Sequence, residues 1–211
     1  NEYFCQYIYD LTMQMTDSIK DDGQLLRQRN PDAVKRLTEA LIGVGIAMAY
    51  AGNSRPASGS EHHLSHFFEI TGIINNRPYF MHGTDVAFST VYTCRMREEI
   101  LAVDIPEQTE KFDRADWEKK IRSVYGIAAD GVIGLQDKAG VYNENKIAVY
   151  KEKWHEIREI LQDCPSAEEI VSYLGSVGLD ISEFEKMYGK QKLENAKWFA
   201  KDLKDRYTVL W

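Results

Sequence analysis

Cysteine is scarce in this sequence, and no stretch is apolar enough to cross a bilayer. The three cysteines are an odd number, lie far apart and form no C-x-x-C pair, so we expect reduced thiols and a cytoplasmic location. No uninterrupted apolar run approaches the ~18 residues that a membrane span requires. Positive charge is also in deficit, with a net charge of −7. This balance argues against a nucleic-acid partner, which would need a basic face.

The sequence also lacks the alternation of apolar and polar residues that is typical of strands, and it contains no internal repeat. Apolar residues recur instead at spacings of three and four, which indicates helices. With 211 residues, 44% of them hydrophobic, the chain is long enough to bury a sizeable core. We therefore predict an all-α protein with one domain over residues 1–211 and about eight to ten helices.

Capping residues mark several of these helices. Asn30 stands before a proline, which predicts the start of a helix that runs to about Ala51. Ser166 and Glu169 form a capping box, and Gly178 should close the helix that follows. Further helices are predicted over residues 85–103, 143–163 and 194–206.

Four of the five histidines lie between positions 62 and 82. The loop before them, residues 53–60, is too rich in Gly, Pro and Ser to be regular structure. Ser58 and Glu61 are three residues apart and form a capping box, which predicts a helix that begins near Gly59.

Three of these histidines can meet. His62 and His66 are four residues apart and share one face of a helix, whereas His63 is turned roughly 100° away. His82 follows a turn predicted at residues 75–78 and stands at the expected start of another helix. A lone histidine is more often a polar residue at a helix end. Three of them beside one loop favour a site for a divalent cation, and imidazole suits Zn, Fe and Ni alike.

The loop and the histidines together form a long motif. It reads Ser54-Arg55-Pro56-Ala57-Ser58-Gly59-Ser60-Glu61-His62, continues with Leu64-Ser65-His66 and ends with His82-Gly83. This motif resembles that of the sn-glycerol-1-phosphate dehydrogenases, within the iron-containing alcohol dehydrogenase and dehydroquinate synthase-like group. The resemblance extends through residues 135–140 and 206–210 and covers nearly the whole chain. It implies the fold of the C-terminal helical, metal-binding half of such an enzyme.

The resemblance also implies roles for individual residues. His62 and His82 correspond to metal ligands, and the family's third ligand is an Asp that this chain lacks. His66 corresponds to the residue that touches the substrate, so it is the candidate catalytic residue, holding a substrate hydroxyl within a proton relay. His63 matches no required position and is expected at the surface or behind the ligands.

Three residues of the preceding loop are further candidates for substrate binding, namely Asn53, Arg55 and Ser58. Arg55 would face the substrate phosphate, because a guanidinium offers several donors in one plane. The alternative for Arg55 is a side chain that only braces the loop.

The chemistry implied by the resemblance is the reduction of dihydroxyacetone phosphate to sn-glycerol 1-phosphate with NADH or NADPH, a reaction of phospholipid metabolism. A divalent Zn, Ni or Fe ion would act as the Lewis acid. The substrate is thus a small phosphorylated triose, and the enzyme is expected to be a homo-oligomer. The family's N-terminal nucleotide-binding domain, with its Gly-Gly-Ser turn, is absent here. We therefore assign no cofactor-binding residue and expect this chain alone to be inactive.

Other functions remain open from the sequence. Within enzymes, the parent protein could use glycerol or another polyol, or perform a dehydroquinate synthase-like reaction. The run from Ser54 to His62 favours the branch that uses a phosphorylated substrate. Outside enzymes, the chain could be a helical binding module that has kept the motif as a scaffold.

Overall fold

The computed structural model describes residues 4–107 and 111–211, and over these ranges it contains helices and no strand. The predicted all-α class is therefore confirmed. Eleven α-helices are present in the described residues, rather than eight to ten. Their bounds are α1 Gln6–Asp17, α2 Gly23–Arg27, α3 Pro31–Ala51, α4 Ser60–Ile74, α5 His82–Leu101, α6 Arg114–Tyr125, α7 Ala129–Ala139, α8 Ile147–Glu152, α9 Trp154–Gln162, α10 Ala167–Val177 and α11 Ile181–Phe199.

The chain forms two compact units. The first comprises the residues up to Gly59 together with Val171–Asp180, and the second comprises Ser60–Ile170 and Ile181–Trp211. The single domain over residues 1–211 stays a prediction. In the part of the chain that the structure describes, no helix is long and apolar enough to cross a membrane.

The long helix of the first unit, α3, begins where its capping residue predicts. The Asn30 side chain accepts hydrogen bonds from the backbone N–H groups of Asp32, at 3.0 Å, and Ala33, at 3.2 Å. These two donors would otherwise have no partner in the first helical turn. The helix ends at Ala51, and the next residue, Gly52, has a φ of 68°, a left-handed conformation that favours glycine. Helix α1 packs against α3 within this unit.

The second unit is built around the packed pair of α4 and α5. The turn between them lies where it is predicted: Asn76 has a φ of 48°, and the Arg77 N–H donates to the Gly72 carbonyl at 2.9 Å. Helix α4 buries Leu64, Phe67 and Phe68, and the buried residues of α5 include Phe88 and Val91. All four histidines between positions 62 and 82 lie on this pair.

Two predicted helices differ from the observed ones. The helix expected over residues 143–163 is divided into α8 and α9, with Lys153 between them. The helical segment begins later than predicted: Asn143 belongs to the 3₁₀ turn Val141–Asn143, and the Asn145 amide oxygen accepts from the Ile147 N–H, at the start of α8, at 3.0 Å. The helix expected over 194–206 is part of the longer α11, which is kinked at Gly189 and continues into the 3₁₀ turn Ala200–Leu203. The capping box of Ser166 and Glu169 is confirmed in both directions.

Candidate metal centre

Three histidines converge at one end of the α4–α5 pair. The ring centroids of His62 and His82 are 5.4 Å apart, and those of His66 and His82 are 5.0 Å apart. The rings of His62 and His66 are 6.4 Å apart, as expected for residues one helical turn from each other. Two helices thus bring three imidazoles within reach of one small ligand.

The position of His82 is set by a buried serine of the facing helix. His82 is the first residue of α5. The Ser65 hydroxyl lies 3.1 Å from His82 Nδ1 and 3.5 Å from the His82 carbonyl oxygen. Ser65 is 0% exposed and the His82 side chain is 44% exposed, so these partly buried contacts join the start of α5 to α4.

Glu69 completes the cluster, and the sequence reading missed it. Its two carboxylate oxygens lie 2.9 Å from His66 Nδ1 and 3.0 Å from His82 Nδ1. His66, Glu69 and His82 each offer a ligand atom within 4.8 Å of the others. Glu69 is three residues after His66 on the same helix, so the period of α4 could have indicated it.

His63 does not lie at the surface, which corrects one of the two positions expected for it. It is 0% exposed, and neither of its ring nitrogens has a hydrogen-bond partner among the described residues. Burial, followed by the positive charges of Lys204 and Arg206, lowers the pKa of His63 to about 4. The ring is therefore neutral at physiological pH and belongs to the interior of the second unit.

The electrostatics of the cluster suit a divalent cation. Burial lowers the pKa of His66, the hydrogen bond to Glu69 opposes this change, and the charge of Lys204 adds to it. His62 also contacts a carboxylate, since its Nδ1 lies 2.8 Å from Glu61 Oε1. A metal requires imidazole with an unprotonated nitrogen. Imidazoles backed by carboxylates are a donor set that suits Zn, Ni and Fe.

The three predicted loop residues lie in the first unit, whereas the histidines lie in the second. The Asn53 amide is used within the loop: it donates to the Ala51 carbonyl at 3.0 Å and accepts from the Arg55 N–H at 2.9 Å. Arg55 is exposed and begins a short 3₁₀ turn, Arg55–Ala57, which Ser58 follows. The role of Asn53, Arg55 and Ser58 in substrate binding stays a prediction.

A buried carboxyl lies near the histidine cluster on α5. Asp85 is 0% exposed and accepts a hydrogen bond of 2.6 Å from the Tyr188 hydroxyl of α11. Its other oxygen has no partner among the described residues. Burial raises the pKa of Asp85 to about 7, and the negative charge of Glu69 raises it further. The hydrogen bond from Tyr188 and the positive charge of Lys192 act in the opposite direction and lower this pKa.

We expect the substitution Asp85→Asn to stabilise the metal-free chain at pH 8 and to change little at pH 4. The folded state binds the Asp85 proton more tightly than the unfolded state, whose pKa is about 3.9. Ionisation therefore costs stability, and the cost grows between about pH 4 and pH 7 to at most on the order of 4 kcal/mol. Urea unfolding at both pH values measures it. The exposed Asp104 serves as the control: Asp104→Asn should have no such effect, and equal pH profiles for the two variants would contradict the assignment.

Comparisons with known proteins agree with the sequence motif. No protein-family profile and no solved structure matches the chain. Curated relatives do match, and each of the following is a glycerol-1-phosphate dehydrogenase (NAD(P)+). The protein of Geobacillus stearothermophilus is 26% identical over 215 residues, which cover 100% of this chain and 46% of the relative. That of Bacillus licheniformis is 32% identical over 130 residues, or 62% of this chain and 31% of the relative. That of Pyrococcus abyssi is 34% identical over 90 residues, or 43% of this chain and 25% of the relative.

The resemblance to glycerol-1-phosphate dehydrogenases is thus confirmed. The chain spans less than half the length of these curated relatives.

Proposed function

We propose that this chain is the metal- and substrate-binding part of an NAD(P)-dependent oxidoreductase that interconverts dihydroxyacetone phosphate and sn-glycerol 1-phosphate. The observation that carries the proposal is the convergence of His62, His66 and His82, with ring centroids 5.0 to 6.4 Å apart. The same three positions are those that the motif associates with the metal and the substrate. Similarity to curated glycerol-1-phosphate dehydrogenases supports the choice of reaction.

In this proposal His62 and His82 hold the divalent cation, together with a ligand from outside the chain. The bound cation supplies Lewis-acid stabilisation of negative charge on the substrate oxygen. His66 positions a substrate hydroxyl, and its lowered pKa keeps the ring neutral, so that it can accept a proton at neutral pH.

The loop residues Arg55, Ser58 and Asn53 are proposed to shape the substrate site. Arg55 supplies positive charge for the phosphate of the triose. Asn53 acts indirectly, since its amide already holds the loop through Ala51 and Arg55.

The nucleotide is proposed to bind outside this chain, on an N-terminal nucleotide-binding domain. A homo-oligomeric assembly and a cytoplasmic location complete the proposal. The three thiols are free, which agrees with a reducing environment.

The test uses the chain alone and the chain joined to a nucleotide-binding half. We expect no oxidation of NADH by dihydroxyacetone phosphate with the chain alone. A fusion to the unmatched part of the Geobacillus stearothermophilus relative should show turnover. The substitution His66→Ala in this fusion should lower kcat, whereas His155→Ala, at an exposed histidine, should not.

Two results would contradict the proposal. Turnover by the chain alone would show that it needs no nucleotide-binding half. A fusion that oxidises glycerol and leaves dihydroxyacetone phosphate unchanged would favour a polyol dehydrogenase.

A further inference from the structure

We infer that Glu69 is a positioning residue that holds both His66 and His82 in one tautomer, with the proton on Nδ1 and the lone pair on Nε2. The inference rests on the proposed function only in that these rings serve the metal and the substrate. It concerns a side chain outside the motif from which those roles were taken.

The chemistry of the carboxylate carries the inference. Glu69 Oε2 lies 2.9 Å from His66 Nδ1, and Oε1 lies 3.0 Å from His82 Nδ1. Both distances are ordinary for N–H···O hydrogen bonds. An ionised carboxylate can only accept. Each of the two Nδ1 atoms must therefore carry a proton, and one acidic side chain sets two rings at once.

The contacts of Ser65 agree with this tautomer. The Ser65 hydroxyl lies 3.1 Å from His82 Nδ1 and 3.5 Å from the His82 carbonyl oxygen. A hydroxyl can both donate and accept, so Ser65 Oγ can accept from Nδ1–H while its own proton points to the carbonyl. The carboxylate thus determines the tautomer of His82, and Ser65 offers the same Nδ1–H a second acceptor.

The consequence is that both rings present Nε2 as the basic atom. A carboxylate that accepts the other N–H fixes the ring orientation and makes the free nitrogen a better ligand. Glu69 thereby couples the metal histidine His82 to the substrate histidine His66. The alternative is that Glu69 and the two Nδ1 atoms all bind the metal directly. That arrangement would require both Nδ1 atoms to be unprotonated, so it predicts the opposite tautomer.

The substitution Glu69→Gln separates these possibilities. An amide has one accepting oxygen and one donating nitrogen, so it can no longer accept from two Nδ1–H groups. Ser65 still offers the Nδ1–H group of His82 an acceptor 3.1 Å away, so we expect the ring that changes to be His66. We expect nitrogen-15 NMR of the metal-free chain at pH 8 to show Nδ1–H for both rings in the unsubstituted chain. In Glu69→Gln, His66 should become Nε2–H while His82 is unchanged.

Calorimetry supplies a second measurement. Loss of the partner of a metal-binding histidine typically weakens metal binding about 10- to 100-fold, and we expect Glu69→Gln to weaken Zn²⁺ binding within that range. The matched control is Glu159→Gln, the same chemical change at an exposed pair in which Glu159 lies 3.6 Å from His155. It should change neither the tautomers of the cluster nor the affinity.

The inference is overturned if the unsubstituted chain shows Nε2–H on His66 or His82. It is also overturned if both rings keep the proton on Nδ1 in a folded Glu69→Gln variant. The first measurement needs no variant and decides the matter even if Glu69→Gln does not fold. The NMR result is also independent of the reaction: fixed tautomers with no activity in the fusion would retain the role of Glu69 and reject the dehydrogenase.

Discussion

Replacing Phe184 with alanine is expected to lower the free energy of unfolding by about 3–5 kcal/mol, the usual cost of deleting a buried phenyl ring. Phe184 is 0% exposed. Its ring centroid lies 5.1 Å from that of Phe68 on α4, 5.3 Å from that of Phe88 on α5 and 5.0 Å from that of Tyr188. One residue of α11 thus packs against both helices that carry the histidines. Urea unfolding followed by circular dichroism measures the effect.

The control is another large aromatic residue of α11. Trp198 is 59% exposed, so Trp198→Ala should cost less than about 1 kcal/mol, as surface substitutions generally do. Equal losses for Trp198→Ala and Phe184→Ala would mean that the aromatic cluster is not the core of the second unit.

Local chemistry made much of the helical structure predictable. The start of α3 depends on an asparagine and a proline that are adjacent in sequence, and the start of α10 depends on a capping box. Such signals act over three or four residues, and a single sequence displays them directly. The helical period places His62 and His66 on one face of α4, whereas their meeting with His82 was predicted from the motif that contains all three.

The missed features depend on contacts between residues that are distant in sequence. His63 is buried by the packing of α4, and this burial lowers its pKa most, followed by the charges of Lys204 and Arg206 near the end of the chain. The partner of Asp85 is Tyr188, 103 residues away. A helical period shows which residues share a face, but it does not show which neighbour that face meets.

Glu69 was predictable only in part from the sequence. Its place on the face of His66 follows from the helical period, whereas its contact with His82 depends on how α4 and α5 pack. The sequence motif ends at His66 on this helix, so the motif alone does not include this carboxylate, which contacts two of the histidines.

The substitution His82→Ala is expected to weaken Zn²⁺ binding by the chain at least about 100-fold, or ~2.7 kcal/mol. The sequence motif assigns the metal to His62 and His82, whereas the tightest group of ligand atoms consists of His66, Glu69 and His82. His82 is common to both sets, so its removal should have the largest effect whichever set binds the ion. Losing a residue that only supports a ligand costs up to about 100-fold, and losing a ligand should cost at least as much. Calorimetric titration with Zn²⁺ or Ni²⁺ measures the change.

Companion variants show which pair of histidines holds the ion. If His62 and His82 are the ligands, His62→Ala should cause a comparable loss, and His66→Ala should retain binding within about tenfold of the original, or ~1.4 kcal/mol. His155→Ala removes an imidazole that is 86% exposed and should leave the isotherm unchanged. A His82→Ala isotherm identical to that of the unsubstituted chain would reject the metal centre itself. The proposed dehydrogenase would fall with it, because both depend on the same convergence of rings.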